Sequence, residues 1–139
     1  NRMLNDLGLN NTEVADASGF SPNTVSTPED MAKLGFLYMK DPVLREIALQ
    51  QQAKIPMVGV IRNNNAFANE NGVVGIKIGN TDEAGKTYLA ASIRQGSNAY
   101  EEISIAVVLG SNDLRVAAND ALKILKAGNN GHDRLERTL

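Results

Sequence analysis

Lys77 sits inside an apolar strand pattern, Val73-Val74-Gly75-Ile76-Lys77-Ile78-Gly79, and a polar stretch, Asn80-Thr81-Asp82-Glu83, leads on to Ala84-Gly85. An ammonium held by a strand beside glycine can place positive charge next to a nucleophile or a bound anion. The same lysine could instead guard a sheet edge against pairing with another chain, and the residues alone leave both roles open. Asp16 and Ser18 have the types of a carboxylate and nucleophile pair, but their place before Gly19 reads as a turn built from Asx and Ser side chains. Glu101 and Glu102 have the types of paired acids; after Gly96-Ser97-Asn98 and before a strand they read as a solvated turn. The one histidine, His132, lies in the polar run Asn129-Asn130-Gly131-His132-Asp133, and the chain has no cysteine. A Ser-His-Asp triad, a zinc site, a thiol nucleophile and a disulfide framework are therefore not expected. A hydrolase made from these residues would use lysine or a carboxylate as its base.

The elements that must position Lys77 can be read from the pattern on either side. Residues 1–7 read as the end of a helix stopped by Gly8, and residues 9–26, dense in Asn, Ser, Thr and Gly, read as loop. Thr27-Pro28-Glu29-Asp30 is a helix start, with a capping hydroxyl, proline in the first turn and two acids at the positive end of the dipole. Met31, Leu34 and Tyr38 share one face of that helix, and Asp41-Pro42 ends it and opens a shorter one over about 42–50. Lys54 to Ile61 reads as one extended segment, an edge strand because of Pro56, and then a loop holding Asn63, Asn64, Asn65, Asn69 and Asn71. Strands are predicted at Val73–Gly79, Lys86–Arg94 and Ile103–Leu109, joined as an antiparallel meander by short polar links. Tyr38 and Tyr88 read as partly buried packing residues. Ser111-Asn112-Asp113 caps a final helix with the apolar stripe Leu114, Ala117, Ala118, Ala121 and Leu125, closed by Lys123, Lys126 and Gly128. That helix can cover one face of the meander, so the other is expected to seek partners beyond this sequence.

The bulk numbers suit one soluble domain: 139 residues, 42% hydrophobic and 22% charged. With 14 Lys+Arg against 16 Asp+Glu, the net charge of -2 gives no electrostatic reason to expect nucleic acid as a partner. No apolar run approaches the roughly 20 residues of a transmembrane segment. Asn1-Arg2-Met3-Leu4 lacks the pattern of a signal peptide and opens inside what reads as a helix, so residues 1–139 are expected to form a single, incomplete domain.

The setting of Lys77-Ile78-Gly79 resembles that of the serine-type D-alanyl-D-alanine carboxypeptidases, the low-molecular-mass penicillin-binding proteins. Enzymes of this type use Ser-x-x-Lys, Ser-x-Asn and Lys-Thr-Gly on a strand. Gly72-Val73-Val74-Gly75-Ile76 is similar to the Gly-x-x-Gly-Ile before that strand motif, and Thr81 with Ala84-Gly85 to the Thr and Ala-Gly after it. Upstream, Leu7-Gly8-Leu9, Thr12, Asp16-Ala17-Ser18-Gly19-Phe20, Asn23, Ser26-Thr27 and Asp30-Met31-Ala32 resemble the family's segment downstream of Ser-x-Asn. Asn65, the strand end Val107-Val108-Leu109-Gly110 and the final helix fit as well. The resemblance thus runs in order over residues 1–128, leaving 129–139 as a polar tail.

The resemblance implies an α/β fold of the α+β type, an antiparallel sheet with flanking helices that forms the later portion of a transpeptidase domain. It implies acyl transfer without cofactor or metal: a serine attacks the D-Ala-D-Ala carbonyl, a lysine base takes its proton, and water releases the acyl-enzyme. By the same resemblance Lys77 is the catalytic strand lysine, and Ile78, Gly79, Asn80 and Thr81 bind substrate. The backbone of residues 78–80 would pair with the peptide, and the Asn80 N–H would donate into the oxyanion hole. The implied ligands are peptidoglycan stem peptides or a β-lactam, and the implied location is extracytoplasmic, in a bacterial envelope or secreted. The departures are specific. No Ser-x-x-Lys occurs, and Ser21-Pro22-Asn23 lies in the loop that belongs after Ser-x-Asn. Ile78 replaces the family's hydroxyl residue, Asn64 stands where a basic residue often precedes Asn65, with Arg62 two positions away, and Arg115 comes two residues early. The expected partner is the missing N-terminal part of the same domain or a second copy, and the chain alone is expected to be inactive. The alternative is a non-catalytic envelope binding module on the same strand platform; a β-lactamase suits Asp16–Asp30 less well.

Overall fold

The computed structural model describes residues 1–65, 72–96 and 100–136, with side chains as far as Gly128. After α1 (Arg2–Asp6), a loop leads to α2 (Pro28–Lys40) and α3 (Pro42–Leu49). A hairpin of β1 (Gln52–Ile55) and β2 (Gly59–Arg62) precedes the meander of β3 (Val73–Thr81), β4 (Gly85–Gln95) and β5 (Glu101–Ser111), and α4 (Leu114–Glu136) closes the order. The three long strands form an antiparallel sheet in the order β3-β4-β5. The predicted α/β architecture and its meander are present.

The helix starts form for the reasons visible in the sequence. Thr27 Oγ1 accepts from the Asp30 N–H at 3.2 Å, Pro28 fills the first turn, and Glu29 and Asp30 face the positive end of the dipole. Asp41 serves two helices, ending α2 and capping α3 by accepting from the Val43 and Leu44 N–H groups. Asp113 Oδ1 caps α4 through the Arg115 and Val116 N–H groups.

Each face of the sheet has its own apolar cluster. On one, Ala117, Ala118, Ala121 and Leu125 of α4 pack against Val73, Tyr88, Ala90 and Ala106. Three alanines in that stripe bring the helix close to the strands. On the other, Met39 of α2 and Ala48 of α3 bury Val74 and Ala91, with Ile76, Ile93, Ile103 and Ile105 packed around them. A Cβ at Gly35 would lie 3.0 Å from Leu89 Cδ1 and 3.2 Å from Ile105 Cγ2, so glycine is what lets α2 sit down on the sheet. The expectation of an uncovered sheet face is therefore corrected. Exposed apolar side chains lie instead on α2 and α3, among them Leu37, Val43, Leu44 and Ile47, and on the β1–β2 hairpin, among them Met57, Val58, Val60 and Ile61.

Two further expectations change. Lys54 to Ile61 is a hairpin and not one strand, because Pro56, Met57 and Val58 form its turn, with Met57 at φ 65°. The last helix does not stop at Gly128 but continues to Glu136, through most of the stretch read as a polar tail. Asn69, Asn71, Ser97 and Asn98, and the side chain of His132, lie outside the described residues.

The loop before α2 is tied down by a carboxylate with no exposed surface. Asp30 Oδ2 accepts from the Asn11 N–H and from Thr12 Oγ1, both at 2.8 Å, and Lys33 Nζ lies 3.6 Å from Oδ1. Burial alone would raise the Asp30 pKa, but the bonds from Thr12 and Asn11 and the charge of Lys33 outweigh it and hold the carboxyl below its ordinary value. A group depressed on folding contributes stability that is full above its unfolded pKa of about 3.9 and is lost as pH falls through the folded value. Thermal melts from pH 7 down to pH 2 should show this loss below about pH 4. Asp30→Asn should melt lower at pH 7 and show a flatter acid limb. An acid limb unchanged by the substitution would show that Asp30 does not carry it.

Candidate active-site strand and its groove

The ladder between β3 and β4 shifts by one residue between Gly75 and Lys77. Val74 pairs with Ala91 and Gly75 with Ala90, but Lys77 pairs with Leu89, leaving Ile76 as the extra residue of a bulge. Partners across a ladder share a face. Lys77 therefore lies with Leu89 on the α2 face, whereas Ile78, paired with Tyr88, packs against the α4 cluster. Gly79, paired with Thr87, returns to the α2 face. Without the bulge, Lys77 and Gly79 would have pointed toward α4.

Asn65 holds this irregular stretch. It is buried, and its side chain occupies the space where Gly75 would carry a Cβ, with Nδ2 only 1.1 Å from that point. The buried Tyr88 hydroxyl donates to Asn65 Oδ1, and the Asn65 N–H donates to Asn63 Oδ1 at 3.0 Å. Tyr88 is thus more deeply buried than the sequence suggests, and its polar tip is accounted for.

Lys77 is exposed, and its ammonium donates back to the Ile78 carbonyl. β3 pairs with β4 alone among the described strands, so its outer edge carries unpaired peptide groups. Past Lys77 a groove of about 600 Å³ opens beside Gly79, Asn80 and Thr81, lined also by Ser21, Pro22 and Thr24 to Ser26 of the loop and by Met31 and Leu109. Thr87 also lines it, and a Cβ at Gly79 would lie 2.4 Å from Thr87 Oγ1. Of the five candidate site residues on β3, four therefore reach the open edge or the groove, and the fifth, Ile78, turns its side chain to the α4 core.

The groove wall is built by the turn expected at Asp16 and Ser18. Asp16 accepts from the Gly19 and Ser21 N–H groups at 2.7 and 2.9 Å and from Ser18 Oγ at 3.0 Å. Desolvation would raise the Asp16 pKa, yet these bonds together hold it below its ordinary value, so the carboxylate is a strut of the turn. Glu101 and Glu102 are not a solvated turn but part of β5. Arg45 of α3 donates to both Glu101 oxygens at 2.7 and 2.8 Å, and that bond chiefly lowers the Glu101 pKa and raises that of Arg45. Arg94 pairs with Glu102 at 2.7 Å. Sequence reasoning misses the parts played by Asp30 and Thr87, because a first-turn acid and a strand threonine carry no local signal of a partner that is distant in sequence.

The chain matches the model of the D-alanyl-D-alanine carboxypeptidase peptidase family over residues 1–113, from its start through β5, and it belongs to that family. Its fold is that of penicillin-binding proteins. Penicillin-binding protein D2 of Listeria monocytogenes, in its cefotaxime-bound form, superposes with a TM-score of 0.79 at 24% identity, over 91% of this chain and 52% of that one. The same protein in its ampicillin-bound form gives 0.79, 24%, 91% and 53%. A point mutant of the Streptomyces K15 DD-transpeptidase gives a TM-score of 0.76 at 27% identity, over 91% of this chain and 51% of that one. The chain spans about half the length of these structures. No curated protein sequence matches it significantly. Among the described residues no helix is long and apolar enough to cross a membrane, and no cluster of acidic, histidine or cysteine side chains could hold a metal ion.

The contact between Gly79 and Thr87 is testable by itself. Gly79→Ala should cost about 1–3 kcal/mol in chemical denaturation, because the new methyl overlaps the Thr87 hydroxyl. Adding Thr87→Ala should recover more than half of that loss. A fully additive pair of effects would contradict the observed packing.

Proposed function

We propose that this chain is the peptide-receiving part of a serine-type D-Ala-D-Ala carboxypeptidase acting on peptidoglycan stem peptides outside the cytoplasm. The observation that carries the reading is the position of Lys77 and Gly79 on an edge strand, on one face, beside a groove, within the span matched by the family. An extended peptide would add to the β3 edge through the backbone of residues 78–80, in the manner of an extra strand. The Asn80 N–H would be one donor to the oxyanion that forms as serine attacks the carbonyl. Lys77 would hold positive charge near that serine and the substrate carboxylate. Its exposed ammonium is already in bond to a main-chain carbonyl and needs only to turn toward a ligand. The two β-lactam-bound forms of the Listeria protein support a β-lactam as an alternative ligand of the same edge.

In this reading the serine and its lysine base come from the remainder of the same domain, which would seat on the exposed apolar sides of α2 and α3. The second reading, a non-catalytic envelope module, is favoured by Ile78, which brings a hydrocarbon to the place of a hydroxyl and packs it against the α4 cluster. Labelling with a fluorescent penicillin, with intact-mass measurement afterwards, separates them. The 139-residue chain should take up no adduct; a protein that also carries Ser-x-x-Lys upstream should take up one, on that serine. A stoichiometric adduct on a serine of this chain would overturn the assignment of roles. An unlabelled full protein would favour the binding module.

The exposed apolar helix faces give a further expectation. In sedimentation velocity the isolated chain should self-associate as its concentration rises, since such patches are covered in stable soluble proteins. A monomer at every concentration, binding no apolar dye, would contradict the proposed seat for a partner segment.

A further inference from the structure

The β1–β2 hairpin is put to no use by the strand motif or the groove. Asn63 closes its base, its N–H donating to the Gln51 carbonyl at 2.8 Å and its side-chain amide to the Gln50 carbonyl at 3.1 Å. The Val58 N–H donates to the Ile55 carbonyl at 3.2 Å and tightens the tip. Its contacts run chiefly between its own two strands. Over residues 52–62 every residue except the half-buried Ala53 is exposed, so the hairpin projects from the body of the molecule. A hairpin of this size is marginal in water unless something covers part of it.

Its residues sort by face. Ala53 pairs with Ile61 and Ile55 with Gly59, which makes one side apolar. Gln52 pairs with Arg62 and Lys54 with Val60, which puts both cations on the other. Pro56, Met57 and Val58 make an apolar tip, with Met57 fully exposed. Residues 50–65 hold no acid, although the whole chain has a net charge of -2. Among the described residues neither Lys54 nor Arg62 pairs with a carboxylate. A second copy of the chain presents the same two cations, so it offers this face no counter-charge. An apolar protein surface would cover the tip and leave both cations unpaired. An anionic lipid surface suits both features at once, with an acyl boundary for the tip and phosphates for Lys54 and Arg62.

We infer that the β1–β2 hairpin is a membrane-interface contact: its tip enters the headgroup region of an anionic bilayer while Lys54 and Arg62 meet the lipid phosphates. The inference goes beyond the reading of β3 as a peptide platform and does not depend on it. The contact is weak and salt-sensitive, because two cations and a three-residue tip supply it.

Flotation of the 139-residue chain with phosphatidylcholine vesicles, with and without phosphatidylglycerol, tests it. At low salt the chain should float with the anionic vesicles and not with the neutral ones, and added salt should release it. Lys54→Gln and Arg62→Gln should each weaken binding about fivefold. Met57→Ser with Val58→Ser, which keeps every charge, should weaken it about tenfold or more. Met57→Trp puts an indole at the tip, and its emission should shift to the blue with anionic vesicles alone. In a longer protein that also carries the Ser-x-x-Lys segment, that indole should emit as a solvated one until lipid is added. Flotation with neither vesicle, or equally with both, would overturn the inference. Binding unchanged by the serine pair would do so too, since charge alone would then be recognised, as on any acidic polymer. Emission from the longer protein that is already blue-shifted without lipid would show that the remainder of the domain covers the tip, and would equally overturn it.

Discussion

The one-residue shift in the ladder between β3 and β4 governs what the rest of the molecule can do. A strand alternates its side chains, so one extra residue exchanges every face beyond it. Here the exchange sends Lys77 and Gly79 to the face of α2 and sends Ile78 into the α4 core. Gly75 permits the irregularity by leaving room for Asn65, and the Tyr88 hydroxyl holds Asn65 from the next strand. Removing any of these groups would act on Lys77 without touching it.

The second wall of the site depends on a separate device. Asp30 is buried at the start of α2 and anchors Asn11 and Thr12, while Thr12 Oγ1 lies 2.8 Å from Ser26 Oγ. Glu13 and Val25 then bond each other across the loop by their backbones. A long segment poor in regular structure thus becomes a fixed wall. α2 in turn is held against the sheet by the absence of a side chain at Gly35. The groove is therefore framed by two elements whose separation is set by core packing, which favours a preformed site over one assembled by the ligand.

Much of the fold is legible in the sequence because its signals are local. Thr27-Pro28-Glu29-Asp30 and Asp41-Pro42 announce helix starts through their own caps, and the apolar runs of β3, β4 and β5 between short polar links need no distant information. Sequence and structure part where a local sign has two meanings. Pro56 marks a turn as readily as an edge strand, and Gly128 reads as a stop where the helix simply tolerates it. The ion pair of Arg45 with Glu101 spans 56 positions, so nothing beside Glu101 distinguishes a paired acid from a solvated one. In the site, the strand motif is visible as residue types, whereas the bulge and the contact of Thr87 with Gly79 exist only once β4 lies alongside.

Backbone pairing along the outer edge of β3 is the claim on which the functional account stands. Hydrogen exchange of the chain, with and without a saturating acyl-D-Ala-D-Ala peptide, measures it directly. The account predicts slowed exchange centred on residues 78–80 and little change in β4, whose amides pair on both sides, or in β5, which lies at the opposite edge of the sheet. Protection that appears on α2 and α3 while residues 78–80 exchange as before would contradict it.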